Sequence, residues 1–349
     1  MKENNILMIG HFATHDYKND GQTVKTKEIY NEIIKNIDKK KIKIVDTQNW
    51  KKNKVSFLKK IIKEAKKSNK IILIVASGGA KVLIPILGAL KPLFKYKICY
   101  CVVGCWLDIR IKENKILRHY LKKIDLVLVE TNGLKESLER EKYKNIKVMY
   151  NFKTVNIVNS NNSTHQRKKF CIFSRIMEEK GIEDAIYAIN ELNNSGIKCS
   201  LDIYGPIEVN YIKTFEEIVS KNKNYINYQG NVKPEESVKY LSQYDMLIFP
   251  THYKKEGLPG TILDAIYSNT PIIASNWEYA EEFINNDIGY LYKFADKESL
   301  KFTLKKVIKN RKDIENKRKK CVKYIEKYSP SNCIKPIIEF INETDKKVR

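Results

Sequence analysis

The sequence has 349 residues, of which 42% are hydrophobic and 30% charged, a composition typical of a globular protein of about two domains. The low counts of 14 glycines and 9 prolines exclude fibrous and low-complexity classes, and no apolar run approaches the ~20 residues of a membrane-spanning helix. The opening MKENNILMIGHF has too short an apolar stretch for a signal peptide and predicts a strand. Seven irregularly spaced cysteines favour free thiols in a reducing cytosol over a disulfide framework or a zinc site.

The net charge of +24 is distributed unevenly. Residues 1–150 hold 33 Lys and Arg against 15 Asp and Glu (+18), residues 151–300 hold 16 against 20 (−4), and residues 301–349 hold 16 against 6 (+10). A uniformly basic nucleic-acid binder would not be expected to have an acidic middle, and no known nucleic-acid module is present. The pattern indicates that one part meets an anionic surface and another does chemistry.

Apolar runs alternate with amphipathic stretches in the first half. Runs such as IILIVA predict strands covered on both faces, and the alternation predicts a parallel, doubly wound α/β sheet. The expected strands are Ile6–Gly10, Ile42–Asp46, Ile71–Ala76, Ile98–Val103, Leu126–Glu130 and Lys147–Tyr150. The expected helices are Val24–Ile37, Val55–Lys67, Lys81–Leu90, Asn114–Lys123 and Leu134–Glu141.

A second alternating segment follows the Asn- and Ser-rich stretch 154–168, which is predicted to be a linker. Its expected strands are Phe170–Phe173, Ser200–Tyr204, Ile226–Gln229, Met246–Phe249, Pro271–Ala274 and Gly289–Leu291. Its expected helices are Ile182–Asn193, Tyr211–Lys221, Glu235–Ser242, Gly260–Tyr267 and Glu298–Lys309, and a last one follows Pro330 at Ser331–Ile341. We therefore expect two Rossmann-like domains, 1–153 and 169–330, and a C-terminal helix in 331–349.

The first strand of the second domain leads into a turn that carries Arg175, Lys180 and Gly181. Two cations beside the free N–H groups of a helix start suit a diphosphate. An ordinary strand-to-helix turn with solvated charges explains the same residues equally well. Glycines after the next two strands, Gly205 and Gly230, lie where open α/β sheets bind ligands, but turns use glycine anyway.

The segment Phe249–Trp277 is the most informative one. A polar loop carries Glu256, Gly257 and Leu258, and Pro259 is expected to begin a helix that contains Asp264. The two carboxylates and the amides at the helix start suit a sugar hydroxyl, a ribose diol and a phosphate.

This segment resembles the donor-binding signature of retaining glycosyltransferases of family 4, E-G-x-P with a second glutamate eight residues after the first. The resemblance covers nearly the whole chain and implies the GT-B fold, in which two Rossmann-like domains face a cleft. It implies that the domain 1–153 binds the acceptor, that the domain 169–330 binds the nucleotide sugar, and that the helix in 331–349 returns to pack on the first domain. It implies transfer of a sugar from a nucleotide sugar, with UDP the expected nucleotide, to a glycan or polyprenyl-diphosphate-linked acceptor with retention of configuration. Capsule- and polysaccharide-assembly members are the most similar.

The resemblance also implies residue roles. Arg175 and Lys180 would hold the donor diphosphate, Glu256 would contact the transferred sugar, and these three form the expected catalytic set. Asp264, which replaces the second glutamate of the family, would hold the ribose. The residues expected to bind the donor are Gly21, Gly205, Val232, Gly257, Leu258, Pro259 and Asp264. Glu282 matches a further glutamate of the family.

The first domain offers weaker candidates. Gly21 resembles the glycine of an N-terminal loop in capsule-assembly members, although a helix-start turn explains it as well. After the fourth strand, many relatives have a histidine that this chain lacks, and the resemblance therefore implies that backbone groups or Asp108 make the acceptor or cleft contacts instead. His11 and His15 lie on the first loop, and His252 lies on the donor loop. Each of these histidines is expected either to contact the acceptor or sugar or to form a structural hydrogen bond.

Two other functions are compatible with the same fold. A sugar-nucleotide epimerase of GT-B shape and a non-catalytic GT-B partner subunit remain as alternatives. The chain has no Asp-x-Asp motif, so we expect no metal cofactor. It also lacks G-x-G-x-x-G and the P-loop motif, which excludes dinucleotide oxidoreductases and P-loop enzymes.

The helix Val55–Lys67 has an apolar face of Val55, Leu58, Ile61, Ile62 and Ala65 and an opposite face of lysines, while residues 51–100 hold 13 basic residues and one acidic residue. An ordinary Rossmann helix with a solvated face is one explanation. Contact with an anionic membrane or a lipid-diphosphate acceptor is the other, and it predicts a cytoplasmic protein that is peripheral on the inner face of the membrane.

Overall fold

The structure is a computed structural model that describes residues 5–14, 21–155 and 168–343. The chain divides into two compact units, Met1–Thr154 with Tyr328–Arg349 and Val155–Lys327. The first unit is therefore discontinuous in sequence. Most of the predicted linker (156–167) and His15 lie outside the described residues.

The first unit is built on a sheet of six parallel strands. Their bounds are β1 Ile6–Gly10, β2 Ile42–Asp46, β3 Lys70–Val75, β4 Lys97–Val102, β5 Leu126–Val129 and β6 Ile146–Val148. Their order in the sheet is β2-β1-β3-β4-β5-β6. Every residue of β1 and β3 is buried, because helices cover both faces of the sheet. Gly10 of β1 pairs with Asp46 of β2 and Ile74 of β3, which brings the loops after these strands to one edge.

Six helices connect these strands. Their bounds are α1 Gly21–Asn36, α2 Lys54–Lys67, α3 Ser77–Phe94, α4 Leu107–Glu113, α5 Lys115–Leu121 and α6 Asn132–Arg140, with 3₁₀ turns at Lys39–Lys41 and Trp50–Asn53. The α4 helix was not predicted. Asn114 separates it from α5, because the Asn114 side chain accepts a hydrogen bond from the Leu117 amide (2.9 Å) and begins a new helix there.

Among the described residues, α3 is the one helix long and apolar enough to cross a membrane, with a mean hydropathy of 1.2 over 18 residues. It links β3 to β4, which are parallel neighbours in the sheet. A crossover between two such strands packs on the sheet, and Gly88 of α3 lies tightly against Tyr120 of α5. We therefore interpret α3 as a crossover helix of the first unit, with one buried side that includes Leu83, Ile84 and Leu87.

The second unit repeats this architecture. Its parallel strands are β7 Lys168–Phe173, β8 Cys199–Tyr204, β9 Ile226–Gly230, β10 Met246–Phe249, β11 Ile272–Ser275 and β12 Gly289–Tyr292, in the order β12-β11-β10-β7-β8-β9. Its helices are α7 Ile182–Asn194, α8 Ile212–Lys221, α9 Ser237–Leu241, α10 Gly260–Tyr267, α11 Lys297–Ile308 and α12 Arg311–Ile325. Three 3₁₀ turns are Glu178–Lys180, Val209–Tyr211 and Ala280–Glu282. The predicted α/β class with two doubly wound parallel sheets is confirmed.

The segment after residue 327 forms two short helices, α13 Pro330–Cys333 and α14 Lys335–Asn342, where one was predicted. Cys333, Ile337 and Phe340 are part of the first unit's hydrophobic core. Lys70, which is buried at the start of β3, donates hydrogen bonds to the carbonyl oxygens of Phe340 (2.8 Å) and Glu343 (2.7 Å). A cation at a helix C-terminus satisfies carbonyls that have no partner within the helix, so Lys70 fixes the end of α14.

All seven cysteines are free and buried. Burial raises the pKa of the Cys199 and Cys321 thiols to about 12. These thiols stay protonated at neutral pH and are therefore poor nucleophiles and poor metal ligands.

Candidate active site

The turn after β7 lies against the loop after β10. Gly181 ends the 3₁₀ turn Glu178–Lys180 with a φ of +63° and precedes α7. A Cβ atom there would lie 2.0 Å from the Pro250 carbonyl oxygen, so glycine allows both the left-handed backbone and the close approach. The His252 amide donates to the Glu179 carbonyl (2.9 Å). Glycine at 181 thus lets two loops that are about 70 residues apart in sequence meet.

The side chain of His252 also joins the same two loops. Its Nε2 lies 2.7 Å from Oδ2 of Asp184, in the first turn of α7. The sequence left open whether His252 contacts substrate or has a structural bond, and the structure provides the structural bond. Asp184 was not among the predicted site residues, since an acidic residue in the first turn of a helix is common without any site.

Lys180 and Glu256 form an ion pair between these two loops. The Thr251 hydroxyl also donates to Oε1 of Glu256 (3.3 Å), and the Lys180 ammonium lies 5.7 Å from the centroid of the Phe249 ring. Both charged side chains are mostly buried, with 22% and 16% of their surface exposed. The structure therefore brings together the expected diphosphate cation and the expected sugar-binding carboxylate.

The α10 helix has the predicted bounds, Gly260–Tyr267. Pro259 has an extended ψ of 139° and is the N-cap, and its carbonyl accepts from the Ile262 amide (3.0 Å). Gly257 and Leu258 are buried immediately before it. Asp264 lies just over one turn into α10 and is 7% exposed. Four of the five positions of the donor signature, 257–259 and 264, thus lie immediately before α10 or within it.

Arg175 lies at the same carboxyl edge of the second sheet. Gly205 has a φ of +133°, and a Cβ there would lie 1.8 Å from the Ser174 carbonyl oxygen, so Gly205 packs against the turn that carries Arg175. The Gly205 amide donates to the Gly230 carbonyl (3.0 Å), which joins the ends of β8 and β9. Arg175 is exposed and forms no ion pair within the described residues, and Val232 is half-buried two residues after β9.

Two buried hydroxyls on these elements have no hydrogen-bond partner within the described part of the chain. They are Oγ of Ser174, immediately before Arg175, and Oγ1 of Thr261, in the first turn of α10. Buried polar atoms usually find a partner in protein, water or ligand, so a water or a ligand is the partner expected for both hydroxyls. No sequence signal distinguishes them from ordinary turn residues.

The predicted residue Glu282 ends the 3₁₀ turn Ala280–Glu282.

The candidate site residues of the first unit lie on different elements. His11 follows β1, and its Nδ1 lies 2.9 Å from the Thr23 hydroxyl of α1. Gly21 begins α1 in open space, where a Cβ would meet nothing within 4 Å. Asp108 is buried in the first turn of α4, where its Oδ1 accepts from the Ile109 amide (2.9 Å). The surroundings of Asp108 fit a helix start, and those of Gly21 do not require a glycine.

Asp46 organises the loop that carries His11. Its carboxylate accepts hydrogen bonds from the amides of Phe12, Thr14 and Gln48, each at 2.9 Å, and from the Thr14 hydroxyl at 2.8 Å. Burial alone would raise the pKa of this carboxyl group, but the hydrogen bonds favour the charged form and lower the pKa. Asp46 is therefore an anion that holds the loop in place.

No group of three or more His, Cys, Asp or Glu side chains within residues 5–14, 21–155 and 168–343 has the geometry to hold a metal ion.

Comparison with solved structures identifies the fold as GT-B. HepE from Anabaena in complex with UDP superimposes with a TM-score of 0.77 at 12% identity, covering 97% of this chain and 99% of that one. Sucrose-phosphate synthase from Thermosynechococcus elongatus gives 0.78 at 13% identity, covering 97% and 98%. TarM from S. aureus gives 0.63 at 19% identity, covering 83% and 58%.

The family follows from the sequence of the second unit. The model of the family "Glycosyl transferases group 1" matches residues 154–328, and the chain belongs to this family. Residues 154–328 include all of the turns and loops described above around Lys180, Glu256 and Asp264. No curated protein matches the chain significantly by sequence.

Proposed function

We propose that this glycosyltransferase moves a sugar from a UDP-sugar to a glycan or lipid-linked glycan in cell-surface polysaccharide synthesis, with retention of the anomeric configuration. The observation that carries the proposal is the meeting of Lys180 and Glu256 beside the start of α10. HepE structures that hold UDP and UDP-glucose support the choice of nucleotide.

The proposed chemistry uses this arrangement directly. The bond between the sugar anomeric carbon and the diphosphate oxygen breaks, and the acceptor oxygen bonds to that carbon on the same face. The acceptor proton goes to the leaving diphosphate. Arg175 and Lys180 stabilise the negative charge that develops on the diphosphate, which lowers the barrier because charge stabilisation in a partly buried site is strong. Glu256 holds the sugar and Asp264 the ribose.

A transfer assay tests this proposal. The protein is offered a panel of UDP-sugars with lipid-linked and glycan acceptors, and products are identified by mass spectrometry and by anomeric NMR couplings. Lys180→Ala removes a charge-assisted contact of about 1.5–3 kcal/mol, so turnover falls about tenfold or more. The matched control is Lys254→Ala, an exposed lysine on the neighbouring loop. Wild-type turnover in a folded Lys180→Ala protein contradicts the assignment.

The same assay distinguishes the competing functions and tests the metal requirement. A sugar-nucleotide epimerase would isomerise the donor without an acceptor, and a non-catalytic partner subunit would do neither. We expect transfer to continue in EDTA, because Arg175 and Lys180 supply the positive charge. Activity that is abolished by EDTA and restored by Mg²⁺ or Mn²⁺ contradicts a metal-independent mechanism.

We also propose that the first unit binds the anionic inner face of the cytoplasmic membrane through α2. Five lysines of α2 are exposed and form no ion pair within the described residues: Lys59, Lys60, Lys63, Lys66 and Lys67. The predicted apolar face is only partly buried, since Val55 is 67% and Ile62 37% exposed while Ile61 and Ala65 are buried. Exposed apolar residues beside lysines suit an interface of lipid headgroups and acyl chains.

Vesicle binding tests this surface. Each lysine near an anionic membrane contributes about 1 kcal/mol, so binding falls steeply with salt and is largely absent on neutral vesicles. Replacing Lys59, Lys60, Lys63 and Lys67 with Gln lowers vesicle binding and leaves UDP affinity unchanged. A quadruple variant that binds anionic vesicles as well as wild type makes α2 an ordinary solvated helix.

A further inference from the structure

The first unit contains a cavity of about 610 Å³ at the amino ends of β4 and β5. This edge of the sheet is opposite to the loops that follow β1 and β4, and a six-residue strand such as β4 spans about 20 Å between the two edges. The volume is within the range of small-molecule sites. The cavity is therefore separate from the loops described above and large enough for a ligand of its own.

The lining of this cavity is strongly basic. Its charged residues are five lysines and one aspartate: Lys91, Lys95, Lys97, Lys122, Lys123 and Asp125. The aspartate is already paired, since its Oδ1 accepts from the Lys91 ammonium (2.7 Å) and its Oδ2 from the Ile98 amide (2.7 Å). Lys97 lies 3.5 Å from the carboxylate of Glu343, which is 60% exposed, so this ion pair is weak.

The other three lysines keep their charge uncompensated. Lysines at helix ends often donate to the last carbonyl groups, and Lys91 does so at the Lys123 carbonyl (2.8 Å). Lys95, Lys122 and Lys123 form neither such a bond nor an ion pair in the part of the chain that the structure describes. The cavity therefore presents three ammonium groups that are available to an anion.

Aromatic rings restrain two of these lysines. The Lys122 ammonium lies 5.9 Å from the centroid of the Tyr143 ring. The Lys123 ammonium lies 4.9 Å from the centroid of the Tyr120 ring. A cation–π contact restrains a cation without neutralising it, so both charges are positioned before a ligand binds.

The third lysine, Lys95, ends α3 in the left-handed region with a φ of 55°. Glycine adopts this conformation at less cost and is the usual residue at such a helix end. The lysine therefore lowers local stability relative to glycine and adds an exposed basic side chain to the cavity. A site that uses this charge accounts for a lysine where the backbone favours glycine.

The cavity belongs to a basic edge of the sheet. The segments that lead into β2 to β6 hold twelve lysines against three acidic residues, counted over 37–41, 66–70, 95–97, 122–125 and 141–145. Clustered charge of one sign attracts counter-ions, and a concave surface strengthens the attraction. An anion with several charges is therefore drawn to this cavity more strongly than an anion with one.

We propose that this cavity is an oligophosphate site, which takes a ligand with two or more linked phosphates at Lys95, Lys122 and Lys123. Linked phosphates bring several negative charges into a small volume, which matches three ammonium groups acting as compact point charges. The ligand is either soluble, such as free diphosphate, or the diphosphate headgroup of a lipid. The inference is independent of the proposed function, in which Arg175 and Lys180 of the second unit hold the donor diphosphate.

Calorimetry tests the site. Inorganic diphosphate and inorganic phosphate are titrated into the full chain saturated with UDP, so that the proposed donor site is occupied. We expect diphosphate to bind at least about tenfold more tightly than phosphate, with an affinity that falls as salt is added. The Arg175→Ala, Lys180→Ala double variant without UDP should bind diphosphate equally well.

Charge variants locate the binding. Combining Lys95→Gln, Lys122→Gln and Lys123→Gln weakens diphosphate binding at least about tenfold. The matched control combines Lys305→Gln, Lys306→Gln and Lys309→Gln, three exposed lysines of α11 outside the lining, and leaves the affinity unchanged. Lys95→Gly alone weakens diphosphate binding about threefold while the protein stays at least as stable in urea, because glycine suits the left-handed backbone.

Vesicle binding identifies the source of the phosphates. Phosphatidylcholine vesicles that carry undecaprenyl diphosphate are compared with phosphatidylglycerol vesicles of equal charge. A triple cavity variant that binds only the former less tightly than wild type identifies a lipid headgroup, and unchanged binding to both identifies a soluble ligand. An equal loss on both kinds of vesicle indicates a non-specific charged surface and overturns the site.

The inference is also overturned by a UDP-saturated wild type that binds diphosphate no more tightly than phosphate, or by a triple cavity variant with wild-type affinity. An equal loss in the α11 control overturns it, because net charge would then explain the binding. Loss of diphosphate binding in the Arg175→Ala, Lys180→Ala protein overturns it as well, because the donor site would be the only one. A wild type that fails to bind UDP contradicts the proposed donor site and leaves the results with the double variant intact.

Discussion

The Lys180 ammonium and the Glu256 carboxylate neutralise each other across two loops of the second unit. The proposed donor needs both groups, with the diphosphate on Lys180 and sugar hydroxyls on Glu256. A complete UDP-sugar offers each of them a new partner. UDP alone offers a partner to Lys180 only and leaves Glu256 without its counter-ion. The ion pair therefore favours the donor over the released UDP product.

Glu256→Gln should bind UDP more tightly than the wild type. The neutral amide no longer competes for Lys180, so we expect about a tenfold lower dissociation constant, equivalent to ~1.4 kcal/mol. Transfer should become slower, since the carboxylate contact to the reacting sugar is lost. Calorimetry and turnover measure the two effects. Glu179→Gln, an exposed neighbour, is the charge-matched control, and equal UDP affinity in Glu256→Gln and wild type would show that the pair does not oppose product binding.

Asp264→Asn should mainly weaken nucleotide binding. The side chain is 7% exposed in α10, where its proposed role is to hold the ribose hydroxyls. A neutral amide gives weaker hydrogen bonds than a carboxylate, so we expect a loss of about 1–2 kcal/mol in UDP affinity. The dissociation constants for UDP and uracil separate the ribose effect from base binding. An unchanged UDP affinity contradicts the ribose role.

Gly181→Ala should destabilise the second unit. The left-handed backbone costs an L-residue about 1–2 kcal/mol, and the new Cβ would lie 2.0 Å from the Pro250 carbonyl oxygen. We expect a total loss of at least about 2 kcal/mol by urea unfolding. Gly21→Ala is the control, with a change within about 0.5 kcal/mol, because open space surrounds that Cβ position. Equal stability of the two variants would refute the steric requirement.

Asp46→Asn should lower stability at neutral pH, and the deficit should disappear in acid. The hydrogen bonds lower the pKa of Asp46 below its ordinary value of 3.8 in the folded state. The stabilisation is therefore present above pH 3.8 and is lost as the pH falls through the lower folded value. Urea unfolding from pH 7 to pH 3 measures this dependence. Asp38→Asn, which retains a side-chain cap, is the control, and a pH-independent deficit contradicts the mechanism.

The strands were predictable because burial on both faces requires nearly continuous apolar runs, and all twelve predicted strands are present. The α12 helix was missed because its sequence RKDIENKRKKCVKYI is dominated by charge. Its buried positions include Lys317, and Arg318 donates to the Tyr244 carbonyl (2.7 Å). A helix anchored by long basic side chains has too faint an apolar stripe to be recognised by its period.

The sequence predicts the residues of each loop of the site, but it does not predict the contacts between the loops. The sequence indicated Lys180 and Glu256 separately, and 76 residues separate them, so their ion pair depends on how β7 and β10 lie side by side. Asp184 and Thr261 carry no pattern that separates them from ordinary helix-start residues.

The return of α13 and α14 to the first unit has a consequence for biosynthesis. Residues 155–327 are contiguous, so the second unit is complete as soon as they leave the ribosome. The first unit must wait until the segment after residue 327 emerges, because Tyr328, Ile337 and Phe340 complete its core. During that interval the apolar side chains that share this core cluster, among them Ile29 and Ile33 of α1, lack the cover that Ile337 and Phe340 provide. Nascent first units are then the species that a chaperone, or a nearby membrane, would meet before the finished enzyme exists.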